Sequence, residues 1–113
     1  MLYAMMIHTD PSRIQALSAA DLETAYAEYL ELAHDPRCVS FAQLQPADTA
    51  TCVKGDGDRT LITDGPFADT KEVLGGFCLI EAADLDEVLE MAARSPAVRW
   101  VGGTIEVRPV AQS

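Results

Sequence analysis

The sequence predicts an α+β domain of the ferredoxin-like, split βαβ type with a β-hairpin insertion. Three observations carry the prediction. Leu2–Ile7 and Val73–Ala82 are strand-length apolar runs, and each is followed by a segment of helical periodicity. Each helical segment leads to a further strand, giving two strand–helix–strand halves. Between the halves, β-branched runs flank Gly55-Asp56-Gly57-Asp58, as in a hairpin.

Leu2–Ile7 is apolar throughout, as expected of a strand buried on both faces, and Asp10-Pro11-Ser12 breaks it. Ser18, with Asp21 three residues on, resembles a capping box. Leu22, Ala25, Tyr26, Tyr29, Leu30 and Ala33 then repeat at helical spacing, with Asp21, Glu23, Glu28 and Glu31 opposite. The helix ends near His34-Asp35-Pro36, because proline disfavours helix in the residue before it. Val39–Gln45 alternates as a strand stopped by Pro46, and Thr49–Val53 pairs with Thr60–Thr63 across the glycine turn. Gly75-Gly76 within Val73–Ala82 predicts a bulge or a close approach of another backbone. Asp84 and Glu87 cap a second helix bearing Leu85, Val88, Leu89 and Ala92, closed by Ser95-Pro96; Thr104–Val107 is the last strand. Each helix has one apolar face, so together they cover one side of a sheet. The other side then needs a cover, and a homodimer with pockets near the sheet interface is expected.

The chain has 113 residues, which suggests about one domain, and 49% of them are hydrophobic, enough for a packed core. A net charge of −10 argues against nucleic acid or an anionic membrane as the main partner. No apolar run reaches the ~18 residues of a membrane span, and no secretory signal pattern opens the chain. The 3 cysteines, Cys38, Cys52 and Cys78, have no paired spacing, which fits reduced thiols in the cytoplasm. Asp56-Gly57-Asp58 fails as a calcium loop because its twelfth position is Phe67, where a bidentate Glu is required. Neither a metal nor another cofactor is expected.

Thr63-Asp64-Gly65-Pro66-Phe67-Ala68-Asp69-Thr70-Lys71-Glu72, Leu74-Gly75-Gly76-Phe77 and Ile105-Glu106-Val107-Arg108-Pro109-Val110 resemble the YCII-related family, in particular its DGPF-type branch. Leu44-Gln45-Pro46 and Asp84-Leu85-Asp86-Glu87 also fit, so the likeness runs over nearly the whole chain. It implies a dimeric α+β barrel of ferredoxin-like subunits. It also implies either a small-molecule enzyme of lyase or hydrolase type, dehydrochlorination being one activity of the wider family, or a non-catalytic ligand-sensing or interaction module associated with a sigma-factor-type regulator.

The candidate catalytic residues are His8 and Asp10, where the first strand exits. A carboxylate that holds an imidazole fixes its tautomer and raises its basicity, as a general base requires. The resemblance matches Asp10, an Asp just before a proline. It places the family's catalytic histidine in the first helix, which here presents Tyr26 and Tyr29 instead, so that His8 would substitute from the strand. The candidate substrate-binding residues are Asp64, Phe67, Lys71, Tyr26 and Tyr29. Structural roles stay open for all of them. Asp10 can cap a turn, the Asp64–Phe67 turn can anchor the hairpin, and Lys71 with Glu72 can be a solvated pair. The tyrosines can be core residues with hydroxyls at its edge. Cys78 suits a small buried apolar role, and Arg108 suits a bridge to a partner chain or the cleft.

Overall fold

In the computed structural model, which describes residues 1–112, β1 (Leu2–Thr9) lies inside an antiparallel sheet. It is flanked by β5 (Val73–Glu81) and β6 (Thr104–Pro109), and β2 (Cys38–Gln43) adds to the far side of β5, for the order β2-β5-β1-β6. The hairpin of β3 (Thr51–Asp56) and β4 (Arg59–Asp64) forms a separate two-stranded sheet. The helices are α1 (Pro11–Gln15), α2 (Ala19–Ala33), α3 (Leu85–Ala93) and α4 (Pro96–Val101).

Strand periodicity places the core. Tyr3, Met5, Ile7 and Thr9 alternate along β1 as buried residues, and Tyr3 and Met5 pack with Cys78 and Ile80 of β5 and with Val88, Met91 and Ala92 of α3. Burial of each large side chain there stabilises the fold by about 1.5–3 kcal/mol. The intervening Leu2, Ala4, Met6 and His8 are only half-buried, so β1 is not the strand covered on both faces that its composition predicts. All the helical cover lies on one side, and alternation then dictates which residues stay wet.

The expected ferredoxin-like dimeric α+β barrel requires correction. The observed fold is a mixed α+β fold with antiparallel sheets: one open four-stranded sheet and a detached hairpin. Closing a barrel requires the edge strands to pair with each other. Here the edges are β2 and β6, kept apart by β5 and β1, and the hairpin pairs only with itself.

Two further differences share one cause. Asp10-Pro11 and Ser95-Pro96 stop β1 and α3 as expected, and each also starts a short helix that the sequence reading does not include. Asp10 accepts the Ser12 amide and Ser95 accepts the Ala97 amide, while proline sits at the first helical position, where its missing N–H costs nothing. The predicted caps at Ser18 and Asp84 form, accepting the amides of Asp21 and Glu87. The glycines act as expected. Gly57 turns the hairpin with φ +67°, and a Cβ on Gly76 would meet the Ala42 carbonyl oxygen at 2.8 Å. The register of β1 against β5 slips beside Gly75, where Ile7 faces Gly76 and His8 faces Leu74.

Candidate functional site

A groove of about 620 Å³ opens where β1 ends, on the helix-covered side of the sheet. Ile7, Thr9, Gly75 and Gly76 form its sheet wall; Tyr29 of α2 and Phe41 of β2 stand beside them, and the Gln43–Ala47 segment forms the rim. Each wall has a local cause. The bulge at Gly75 and the backbone approach at Gly76 leave no side chain on that part of the wall. The Asp10 cap turns the chain sharply, so that Pro11, Ile14 and Gln15 line the groove next to Thr9. Pro46 ends the rim by starting a short 3-10 turn over Ala47–Thr49.

Tyr29 is the most chemically defined group here. Its ring sits 6.1 Å from that of Phe41 at a tilt of 58°, the geometry that aromatic quadrupoles favour. Burial pushes its phenol above the ordinary tyrosine range; hydrogen bonds with Ser95 and the Ala97 amide oppose that shift without cancelling it. At neutral pH Tyr29 is therefore a protonated donor. Gln15, Gln43 and Gln45 add amides and Thr9 adds a hydroxyl, whereas no charged side chain among the described residues lines the groove.

A second groove of about 520 Å³ lies between α2 and α4. Leu17, Leu22, Tyr26 and Trp100 are among its walls, and Thr9, Ile14, Tyr29 and Gln43 line both grooves. It explains an oddity of α2: the helix has the expected apolar stripe, but Leu22 is 47% and Tyr26 57% exposed because they face this opening.

The sequence-derived candidates do not converge. Tyr29 lines both grooves and Tyr26 the second. His8 alternates onto the uncovered face of the sheet, opposite Thr104 and Leu74. Asp10 sits at the start of α1, where its Oδ1 accepts the Ser12 amide at 2.9 Å and the Ser12 hydroxyl at 2.7 Å. Those bonds first, and the charges of Arg13 and Lys71 after them, hold its carboxyl below the usual range. Among the described residues no hydrogen bond or ion pair joins His8 to Asp10.

Asp64 ends β4 opposite Thr51, exposed. The turn after it is tied to the hairpin: the Gly65 amide donates to the Ala50 carbonyl at 2.7 Å, and the Cys52 thiol donates to the Gly65 carbonyl at 3.2 Å. Phe67 is 91% exposed and Lys71 is also exposed; neither lines a groove described above. Cys78 is buried, and that burial pushes its thiol up to about 12, so it stays protonated and inert. Arg108 pairs with Glu106 of its own strand.

Sequence reasoning missed Thr9, Gln43, Gly75 and Trp100 as lining residues. The available signal was the Asp-Pro and Ser-Pro pairs: read as helix starts, they place α1 and α4 around the end of β1.

Comparison with known proteins fits this architecture. The structure of 5-chloro-2-hydroxyhydroquinone dehydrochlorinase (TftG) from Burkholderia phenoliruptrix AC1100, in complex with 2,5-dihydroxybenzoquinone, superposes with a TM-score of 0.59. The match covers 100% of this chain and 96% of that one at 19% identity, a likeness of fold. An uncharacterized protein of Rhizobium meliloti (strain 1021) is 36% identical over 118 residues, covering 98% of this chain and 93% of its own. The YCII-related domain model matches residues 1–113, and the chain belongs to that family.

Proposed function

We propose that this protein is a small-molecule enzyme of lyase or hydrolase type, from the DGPF-type branch of its family, that takes a neutral hydroxylated or carbonyl-bearing ring in the groove at the end of β1. One observation carries the reading: Tyr29, its ring beside that of Phe41 and its phenol protonated, lines an apolar groove with neutral amides and, among the described residues, no charge. A groove of that size suits a small organic ligand. The lack of a charged partner in its walls favours a neutral ring over a carboxylate, because a buried unpaired anion is costly. Tyr29 donates to an oxygen on the ring and stabilises the negative charge that forms there when the ring gives up a proton to water. The leaving group then carries that charge off with its electron pair. Asp10 acts one step back, setting the start of α1 and hence the wall. The dehydrochlorinase that shares the fold acts on such a ring, which makes its substrate a sensible first probe.

A second reading rests on a separate observation. Among the described residues, no imidazole, carboxylate, amine or thiol lines the first groove, so its described walls offer no general base. A groove with a donor and no base binds without turnover, as in a ligand-sensing module serving a sigma-factor-type regulator.

The test is titration with hydroquinone, 5-chloro-2-hydroxyhydroquinone and benzoate, with chloride release followed in parallel. The enzyme reading expects the neutral rings to bind at least about tenfold more tightly than benzoate, chloride to appear, and Tyr29→Phe to lower the rate about 100-fold or more. Binding without chloride or any other product supports the sensing reading. Failure of every ring to bind overturns both.

A further inference from the structure

We infer that the two grooves are one ligand site, and that the natural ligand carries an apolar tail, alkyl or aryl, which leaves the ring through the gap at Tyr29 and lies against Trp100. The inference rests on the proposed function for the ring end and adds the class of substituent. Continuity is the first argument. Thr9, Ile14, Tyr29 and Gln43 line both grooves, so a molecule in the first meets the same side chains as one in the second. A single hydroxylated ring occupies only part of about 620 Å³, and a further 520 Å³ adjoins it.

The second argument is the chemistry of the walls. The first groove carries three amides and two hydroxyls, and the second shares Gln43, Thr9 and Tyr29 with it at the junction. Beyond them the second is bounded mainly by Leu17, Leu22, the ring of Tyr26 and Trp100, with Glu23 the lone charged side chain among the described residues. Polarity therefore falls from one end of the site to the other, matching a polar ring with an apolar tail. Trp100 is also prepared for such a contact. Its indole Nε1 already donates to Glu28 Oε1 at 3.0 Å, and Glu28 is held in turn by Arg99 at 3.1 Å. The indole is thus oriented and its donor satisfied, so it needs no polar group from a ligand. A Cβ on Gly75 would find only Thr9 Oγ1 at 3.7 Å and the Ile7 carbonyl oxygen at 4.0 Å, so the wall next to the gap has spare room.

Trp100 is the only tryptophan in the chain and reports on the site directly. The experiment titrates the protein with hydroquinone and with its methyl to hexyl derivatives, reading affinity by calorimetry and Trp100 emission by fluorescence. Affinity should rise roughly three- to fourfold per added methylene. Emission should shift to the blue for the longer chains and stay unchanged with hydroquinone itself. Leu22→Glu should flatten the chain-length dependence. Hydroquinone binding with a flat series and unmoved emission overturns the tail and leaves the ring reading intact. A steep series with hydroquinone failing to bind or compete supports the tail and overturns the ring reading instead. If nothing in the series binds, both fall.

Discussion

The two faces of β1 are nearly equal in apolar content and differ sharply in what covers them. Met5 is fully buried, whereas Met6, one residue on, is half-buried beside Phe77, which is 39% exposed. The covered face owes its burial to α3, which supplies Val88, Met91 and Ala92, whereas none of the described helices packs on the other. Hydrophobicity in a strand therefore reports a capacity for burial; the direction taken by the connecting helices decides which half of it is used.

Substitution of adjacent methionines gives the sharpest test. Met5→Ala leaves a cavity in a packed core and should cost about 2–5 kcal/mol in chemical denaturation. Met6→Ala removes a side chain already partly in water and should cost under about 1 kcal/mol. Equal losses would break the contrast by showing that something covers the open face in solution, and sedimentation of the unmodified protein would then have to show association.

The adjacent glycines make a smaller pair. Gly76→Ala drives a methyl into the Ala42 carbonyl, 2.8 Å from the ideal Cβ, and should cost about 1–3 kcal/mol by forcing β2 away from β5. Gly75→Ala meets nothing closer than 3.7 Å, so its effect should stay within about 0.5 kcal/mol. Similar melting temperatures for the two variants would mean that β2 adjusts freely and that its pairing does not fix the groove.

These contrasts show what was legible in the sequence. The caps at Ser18 and Asp84, the hairpin turn at Gly57 and the bulge and close backbone approach at Gly75-Gly76 were readable because each depends on a few neighbouring residues. The open sheet was not. Whether strands close into a barrel depends on which edges meet, and no local pattern in β2 or β6 encodes that. The site was less legible still. His8 and Asp10 look paired at a spacing of two, yet one ends on the open face and the other caps a helix. Phe67, a candidate for binding substrate by its motif, is exposed and lines neither groove, while Thr9 and Gln43 carried no motif to mark them.

An ion cluster ties the start of β2 to α3 and tests the covered side electrostatically. Arg37 bonds Asp35 and Glu87, each at 2.8 Å, and Glu87 also accepts the Ala83 amide at 3.0 Å. The Arg37 hydrogen bonds hold Asp35 down at about 2 and lower Glu87 as well. Both carboxyls titrate lower folded than unfolded. Their stabilisation is therefore complete above the unfolded values, near 4, and is lost as pH falls toward 2. Denaturation at a series of pH values should show native protein and Arg37→Ala differing most at pH 6 and converging by about pH 2. A constant gap would assign the role of Arg37 to packing of its stem rather than to charge.

The hairpin should show the smallest effects, because the described residues cover neither of its faces. Val53 is 68% and Ile62 69% exposed, and they face each other across the β3–β4 ladder. Ile62→Thr keeps the branched Cβ that suits a strand and gives up little burial, so its cost should lie within about 0.5 kcal/mol. A two-stranded ribbon is marginal alone, and this one is tied down at its base by the Gly65–Ala50 hydrogen bond. Amide exchange should therefore be fast at Lys54 to Arg59 and slow in β1 and β5. Slow exchange at the hairpin tip, or a loss above about 1 kcal/mol for Ile62→Thr, would move the hairpin into the covered class and show that exposure in the single chain understates its burial in solution.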